Sequence, residues 1–221
     1  CLAAEAGIPV VKIKHFRDRW IGSTEGNLEK IFRLLGALGR CYVFVDEADQ
    51  ALGKRDSGAG DGGIGGRVYG MFAQEMSRGE NRGKFVWIMA SSRTDLIEVD
   101  LKRPGRIDTK IPIFPAASAR EAFDLLRALL KRRGLVLEDA DFATLEAHMP
   151  VLLTAGAAEA LSVKIYRTVQ VERIGVLKAL QKSLEGYQPP VPLEVLRAQM
   201  QLAMDEASDA SFVPQTLREM V

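Results

Sequence analysis

Cys41-Tyr42-Val43-Phe44-Val45-Asp46-Glu47 is an apolar run too short for a helix that ends in two adjacent carboxylates. A run of this kind reads as a buried strand of a parallel sheet. Carboxylates delivered at its end are costly to desolvate, so the pair points to a cation or a reaction nearby. Further along comes Arg103-Pro104-Gly105-Arg106-Ile107-Asp108, and the two segments together point to nucleoside triphosphate chemistry. Phosphoryl transfer needs a metal to neutralise the phosphates, a group to orient the attacking water and a cation that meets the developing charge. Asp46 suits Mg2+ held through its water shell, and Glu47 suits polarisation of the water. Taken singly, the Asp46-Glu47 pair also fits a strand running into a helix N-terminus, where acids are favoured.

The elements that must carry these residues follow from periodicity. Residues 8–14 alternate apolar and basic types behind a Gly-x-Pro break, a strand signal, and Leu28, Ile31, Phe32, Leu35 and Leu38 then form one helical stripe that Gly39 ends. A strand over 42–45 follows. Residues 57–66 are almost all glycine, serine and aspartate and read as a loop, after which 67–78 returns to helix with Val68, Met71, Phe72 and Met76 inward. Residues 85–90 form another apolar run of strand length, and 110–114 a weaker one. Apolar strands alternating with helices predict an α/β fold, a parallel sheet with helices on both faces. Beyond Pro115 the pattern is helix after helix, opening on the capping box Ser118-Ala119-Arg120-Glu121. Helices are expected over 118–133, 141–148, 155–173, 176–185 and 193–207. The expected organisation is an α/β domain over 1–115, a small all-α domain over 116–188, and a helical extension over 189–221 beyond the stiff connector Gln188-Pro189-Pro190-Val191-Pro192.

Bulk properties narrow the function classes. With 30 basic and 29 acidic side chains the formal charge is +1, so no global field recommends nucleic acid or an anionic membrane as partner. No apolar stretch approaches the length of a bilayer span. The two cysteines, Cys1 and Cys41, make no disulfide framework, and a reducing, cytoplasmic setting is expected. His15 and His148 are isolated and argue for no transition metal. Cys1-Leu2-Ala3-Ala4-Glu5-Ala6-Gly7 looks like the back half of a helix with its glycine stop, so the chain is read as a fragment.

Order and spacing of the motifs resemble the AAA family of ATPases, in the strict sense that includes proteasomal, membrane-protease and microtubule-severing members. Cys41 to Glu47 looks like the family's Walker B strand. Ala90-Ser91-Ser92-Arg93-Thr94-Asp95 is similar to its sensor 1 segment, and Arg103-Pro104-Gly105-Arg106-Ile107-Asp108 matches its second region of homology nearly letter for letter. Gly156-Ala157 resembles the Gly-Ala that contacts the nucleotide from the lid domain. The resemblance covers residues 1–168.

That resemblance implies a P-loop NTPase fold with an α-helical lid over 116–188, ATP and Mg2+ as cofactors, and Arg103 and Arg106 as arginine fingers reaching the γ-phosphate of a neighbouring subunit. It further implies a homo-oligomeric ring, a hexamer, that pulls a protein or peptide substrate through a central pore. Trp20-Ile21-Gly22 resembles the first pore loop, where an aromatic-aliphatic pair grips an extended polypeptide and glycine allows a sharp turn. The glycine-rich 58–66 occupies the position of the second. Departures are as informative. No Gly-x-x-x-x-Gly-Lys-Ser/Thr phosphate loop occurs in the sequence, and the resemblance would put it just before the helix with which the chain begins. Ser92 replaces the sensor 1 asparagine, a shorter reach to a water that implies slow hydrolysis, and Thr94 stands where proline is usual. A non-hydrolysing scaffold on the same fold is therefore the alternative reading. Asp46-Glu47-Ala48-Asp49 also spells a helicase signature, but near-neutral charge disfavours a nucleic-acid translocase.

Overall fold

The computed structural model describes residues 2–13, 23–52 and 64–219. A short helix α1 (Leu2–Ala6) leads into strand β1 (Val10–Ile13), helix α2 (Ser23–Leu38) and strand β2 (Cys41–Val45). Then come helices α3 (Ala48–Leu52) and α4 (Ile64–Ser77) and strand β3 (Phe85–Met89). Helices α5 (Ala119–Arg132), α6 (Phe142–Leu145), α7 (Ala155–Glu172), α8 (Val176–Glu185), α9 (Leu193–Asp205) and α10 (Gln215–Arg218) complete the described chain. It divides into two compact units, residues 1–110 with 206–208, and residues 111–205 with 209–221.

Among the described residues the first unit is built on a parallel three-stranded sheet in the order β1-β2-β3, with Val10 opposite Tyr42 and Cys41 opposite Phe85. Parallel neighbours require crossovers, and helices supply both. The central strand alternates: Cys41, Val43 and Val45 are buried while Tyr42 and Phe44 are half-buried. Leu28 and Leu35 of α2 and Val68 and Phe72 of α4 are fully buried against it. The rings of Phe32, Phe72 and Trp87 meet edge to face with centroids 5.5 to 6.4 Å apart, tying α2 and α4 over β3. Leu38 departs from the expected stripe. It is 55% exposed beside Leu34 in the last turns of α2, just before Gly39 takes φ +77° and ends the helix.

Residues 110–114 form no strand. A β-ladder needs a partner edge, Pro112 removes one backbone donor, and Ile111 and Ile113 stand 62% and 88% exposed. The short segment 206–208 instead meets Lys110, with Ser208 N–H donating to Lys110 O at 3.2 Å and Lys110 N–H donating to Ser208 Oγ at 3.0 Å. Glu206 adds ion pairs to Lys102 and, at 3.5 Å, to Lys110.

In the second unit, Phe123, Leu126 and Leu130 of α5 pack with Leu161 and Ile165 of α7 and Leu180 of α8. Ser118 caps α5 by accepting from Glu121 N–H, and the Glu121 carboxylate accepts at 2.7 Å from the backbone N–H of Ala117, one residue earlier than a regular capping box would have it. The helix expected over 141–148 is broken into α6 between two single turns, 139–141 and 146–148. A smaller cluster of Ala117, Leu152, Leu196, Met200 and Leu217 gathers α9 and α10.

Candidate nucleotide site

The carboxyl ends of β2 and β3 lie side by side, since Val45 pairs with Met89. Beyond the strands the pairing continues: Ala90 N–H donates to Val45 O at 3.0 Å, and Ala48 N–H donates to Ala90 O at 2.9 Å. Asp46 and Glu47 therefore leave β2 next to the Ser91-Ser92 turn that leaves β3. Ser91 Oγ donates to Asp49 Oδ1 at 2.5 Å and accepts from Arg93 N–H at 3.0 Å, which locks that turn onto the start of α3. Ser92, the residue singled out in the sequence, is exposed beside it.

Glu47 occupies the left-handed region at φ +49°. Such backbone costs a non-glycine residue on the order of 1 kcal/mol and persists where the surroundings impose it. Here they do. Its N–H donates to Asp46 Oδ1 at 3.2 Å, and its carbonyl accepts from the amides of Gln50 and Ala51 at 2.9 and 3.1 Å, opening α3. The twist presents the Glu47 side chain to solvent.

Asp46 is half exposed, and Lys12 Nζ lies 2.7 Å from its Oδ2. The lysine hydrogen bond holds the Asp46 carboxyl below the usual carboxylate range. Lys12 also stacks over the Phe44 ring at 5.1 Å. Among the described residues no group of three or more His, Cys, Asp and Glu side chains could hold a metal. A lone hard carboxylate oxygen at a strand end nonetheless fits Mg2+, which keeps most of its waters and shares ligands with phosphates, provided Lys12 yields its place.

Arg103 and Arg106 stand together in a second cluster of the same unit, around Asp100. Arg103 Nη1 lies 2.9 Å from Asp100 Oδ1, and Arg106 Nη1 is paired with Asp100 Oδ2. Tyr69 OH donates to the same Oδ2 at 2.7 Å. That hydrogen bond, followed by the Arg106 guanidinium, keeps the Asp100 carboxyl below its ordinary range, while burial and then the Asp100 contact push the Tyr69 phenol up to about 12. Among the described residues no hydrogen bond or ion pair joins either arginine to Asp46 or Glu47.

Gly156 and Ala157 open α7 in the second unit. Thr154 Oγ1 accepts from Ala157 N–H at 3.2 Å, and open space surrounds Gly156, where a Cβ would meet nothing within 4 Å. Trp20, Ile21 and Gly22 lie outside the described residues, as do 57–63 of the glycine-rich stretch. Lys12, Tyr69 and Asp100 are participants that sequence reading missed, while Ser91 and Asp49 lay inside quoted motifs without being given a role. Of the three missed, Lys12 carried a visible signal, a basic residue alternating into a strand.

A family model described as the ATPase family associated with various cellular activities (AAA) matches residues 1–114. The chain is 27% identical over 175 residues to the peroxisomal ATPase PEX6 of Dictyostelium discoideum, covering 78% of this chain and 14% of that protein. It is 30% identical over 155 residues to protein mac-1 of Caenorhabditis elegans, with coverages of 68% and 19%. Against the ATPase family gene 2 protein homolog A of Homo sapiens it is 28% identical over 200 residues, 89% of this chain and 22% of that protein. The chain thus spans less than a quarter of the length of each of these relatives.

Proposed function

The chain belongs to the AAA family of ATPases, and from that premise we propose that it is an ATP-hydrolysing module that assembles into a homo-oligomeric ring, a hexamer, and remodels or translocates a protein substrate through the pore. The observation that carries the reading is the adjacency of Asp46-Glu47 and Ser91-Ser92 at the carboxyl ends of neighbouring parallel strands. Open α/β sheets bind their ligands at such ends.

In this reading Asp46 holds Mg2+ through its water shell, and the ion, when bound, neutralises phosphate charge. Glu47 polarises the attacking water, and Ser92 orients it from the neighbouring strand. Arg103 and Arg106 meet the developing negative charge of a triphosphate held by the adjacent subunit. Gly156 and Ala157, in a helical lid, contact the nucleotide. Trp20, Ile21 and Gly22 grip the substrate. The buried reduced thiol of Cys41 suits a reducing, cytoplasmic setting.

Glu47→Gln tests the assignment in the intact protein. ATP should bind as in wild type while phosphate release falls to background. Release at the wild-type rate would remove Glu47 from the mechanism.

A second reading, a non-hydrolysing scaffold on the same fold, is favoured by the Lys12 ammonium, which takes the Asp46 oxygen that Mg2+ would need. Calorimetric titration separates the two, because a scaffold of this kind gives no ATP- and Mg2+-dependent heat.

A further inference from the structure

We propose that Asp100 is a positioning residue that divides the labour of the two arginines, fixing Arg106 as a strut and leaving Arg103 as the arm that reaches out of the subunit. This rests on the reading of the arginine loop as meeting a neighbour's triphosphate, and it narrows that reading by giving the contact to Arg103 and the support of the loop to Arg106. The two guanidiniums are held very differently. Arg106 Nη1 donates both to the Asp100 carboxylate and, at 3.0 Å, to the Asp100 carbonyl, and its Nε donates to Ser77 Oγ at 3.1 Å. Ser77 ends α4, and its own hydroxyl donates to Ala73 O at 2.7 Å. The Arg106 side chain is 24% exposed. Arg103 is 72% exposed, and among the described residues its ion pair is with Asp100 Oδ1 alone.

Asp100 is the pivot between them. Its Oδ1 faces Arg103, while Oδ2 receives both Arg106 and the Tyr69 hydroxyl, so Tyr69 on α4 holds the carboxylate in place. Breaking a half-buried set of charge-assisted bonds is far harder than surrendering one exposed pair, which contributes little net free energy in water. A phosphate approaching from outside the chain therefore captures Arg103. Arg106 keeps the loop that presents it rigid. A carboxylate at position 100 also keeps the Arg103 fork close to its place of use, which limits the entropy lost when it engages.

The test compares Asp100→Ala, Asp100→Asn, Asp100→Glu, Tyr69→Phe and Arg103→Ala in the intact, ATP-hydrolysing protein. Asp100→Ala and Asp100→Asn should lower kcat roughly ten- to hundredfold through misplacement of the guanidiniums, with KM held within about twofold because ground-state nucleotide binding is untouched. Asp100→Glu should recover part of the loss, and Tyr69→Phe should show a smaller one. An NMR readout stands apart from activity: the Nε–H of Arg106, bonded to Ser77 Oγ, should exchange slowly in wild type and faster in Asp100→Asn, where the Nη1 anchor that holds the guanidinium there is weakened, while that of Arg103 is fast in both. Wild-type kcat in Asp100→Asn, alongside a crippled Arg103→Ala, would overturn the positioning role and leave the functional reading standing. An Arg106 Nε–H that exchanges as fast in wild type as that of Arg103 would overturn it as well. Full hydrolysis by Arg103→Ala would instead bring down the reading of the arginines, and this proposal with it.

Discussion

Lys12 on β1 and Asp46 at the end of β2 are ion-paired at 2.7 Å, so a protein cation already occupies the carboxylate oxygen that the proposed Mg2+ would use. Both side chains are close to half exposed, so the pair contributes little to stability at neutral pH. It shapes the site instead. Lys12→Ala should let the Asp46 carboxyl return toward its ordinary range and should lower the Mg2+ concentration needed for half-maximal ATP binding, measured by titration at fixed nucleotide.

The same pair sets a pH dependence. The Asp46 carboxyl is depressed in the folded state, so its stabilising contribution is present above the unfolded carboxylate range and disappears as pH falls through the folded value. Urea unfolding from about pH 5 to pH 2 should therefore show a steeper acid loss for wild type than for Lys12→Ala. Parallel curves would mean that the ion pair does not form in solution.

Glu47 holds a left-handed backbone at φ +49°, and glycine adopts that region without a Cβ clash. Glu47→Gly should therefore raise stability by about 1 kcal/mol, a gain of a few degrees in Tm for a chain of this size. Phosphate release should vanish in the same variant. Calorimetry beside a phosphate assay reads both, and a lower Tm would show that the strain is not what the backbone stores there.

Glu206 bridges Lys102 and Lys110, which flank the loop carrying both arginines, and Lys102 is only 12% exposed. Glu206→Ala should cost about 2 kcal/mol by stranding a partly buried ammonium. Chemical denaturation of the variant is the direct measurement.

Phe72 is fully buried and meets Phe32 and Trp87 edge to face. Phe72→Ala should destabilise by about 3–5 kcal/mol, through lost transfer energy and an unfilled cavity. Trp87 emission should report the loosening, as its ring loses a neighbour at 5.9 Å.

Local patterns were legible wherever one period dominated. The Cys41–Val45 run, the helix of Leu28 and Leu35, and the 176–185 helix read directly from residue spacing because burial of one face decides both period and element. Residues 110–114 misled for the converse reason: their apolar content suits a strand, yet a strand exists only where another edge accepts its hydrogen bonds. Leu38 failed similarly, since the period of a helix continues past the point where the core stops.

The sequence by itself determined that two carboxylates end a core strand, that a serine pair ends another, and that two arginines flank a tight turn. Tertiary structure alone decided that Lys12 reaches Asp46, that Ser91 rather than Ser92 binds Asp49, and that Tyr69 and Asp100 hold Arg106 while Arg103 stays exposed. The reason is physical. Periodicity is a property of neighbours along the chain, whereas the partners Lys12–Asp46, Tyr69–Asp100 and Asp49–Ser91 lie 34, 31 and 42 residues apart, and strand register and helix packing bring them together.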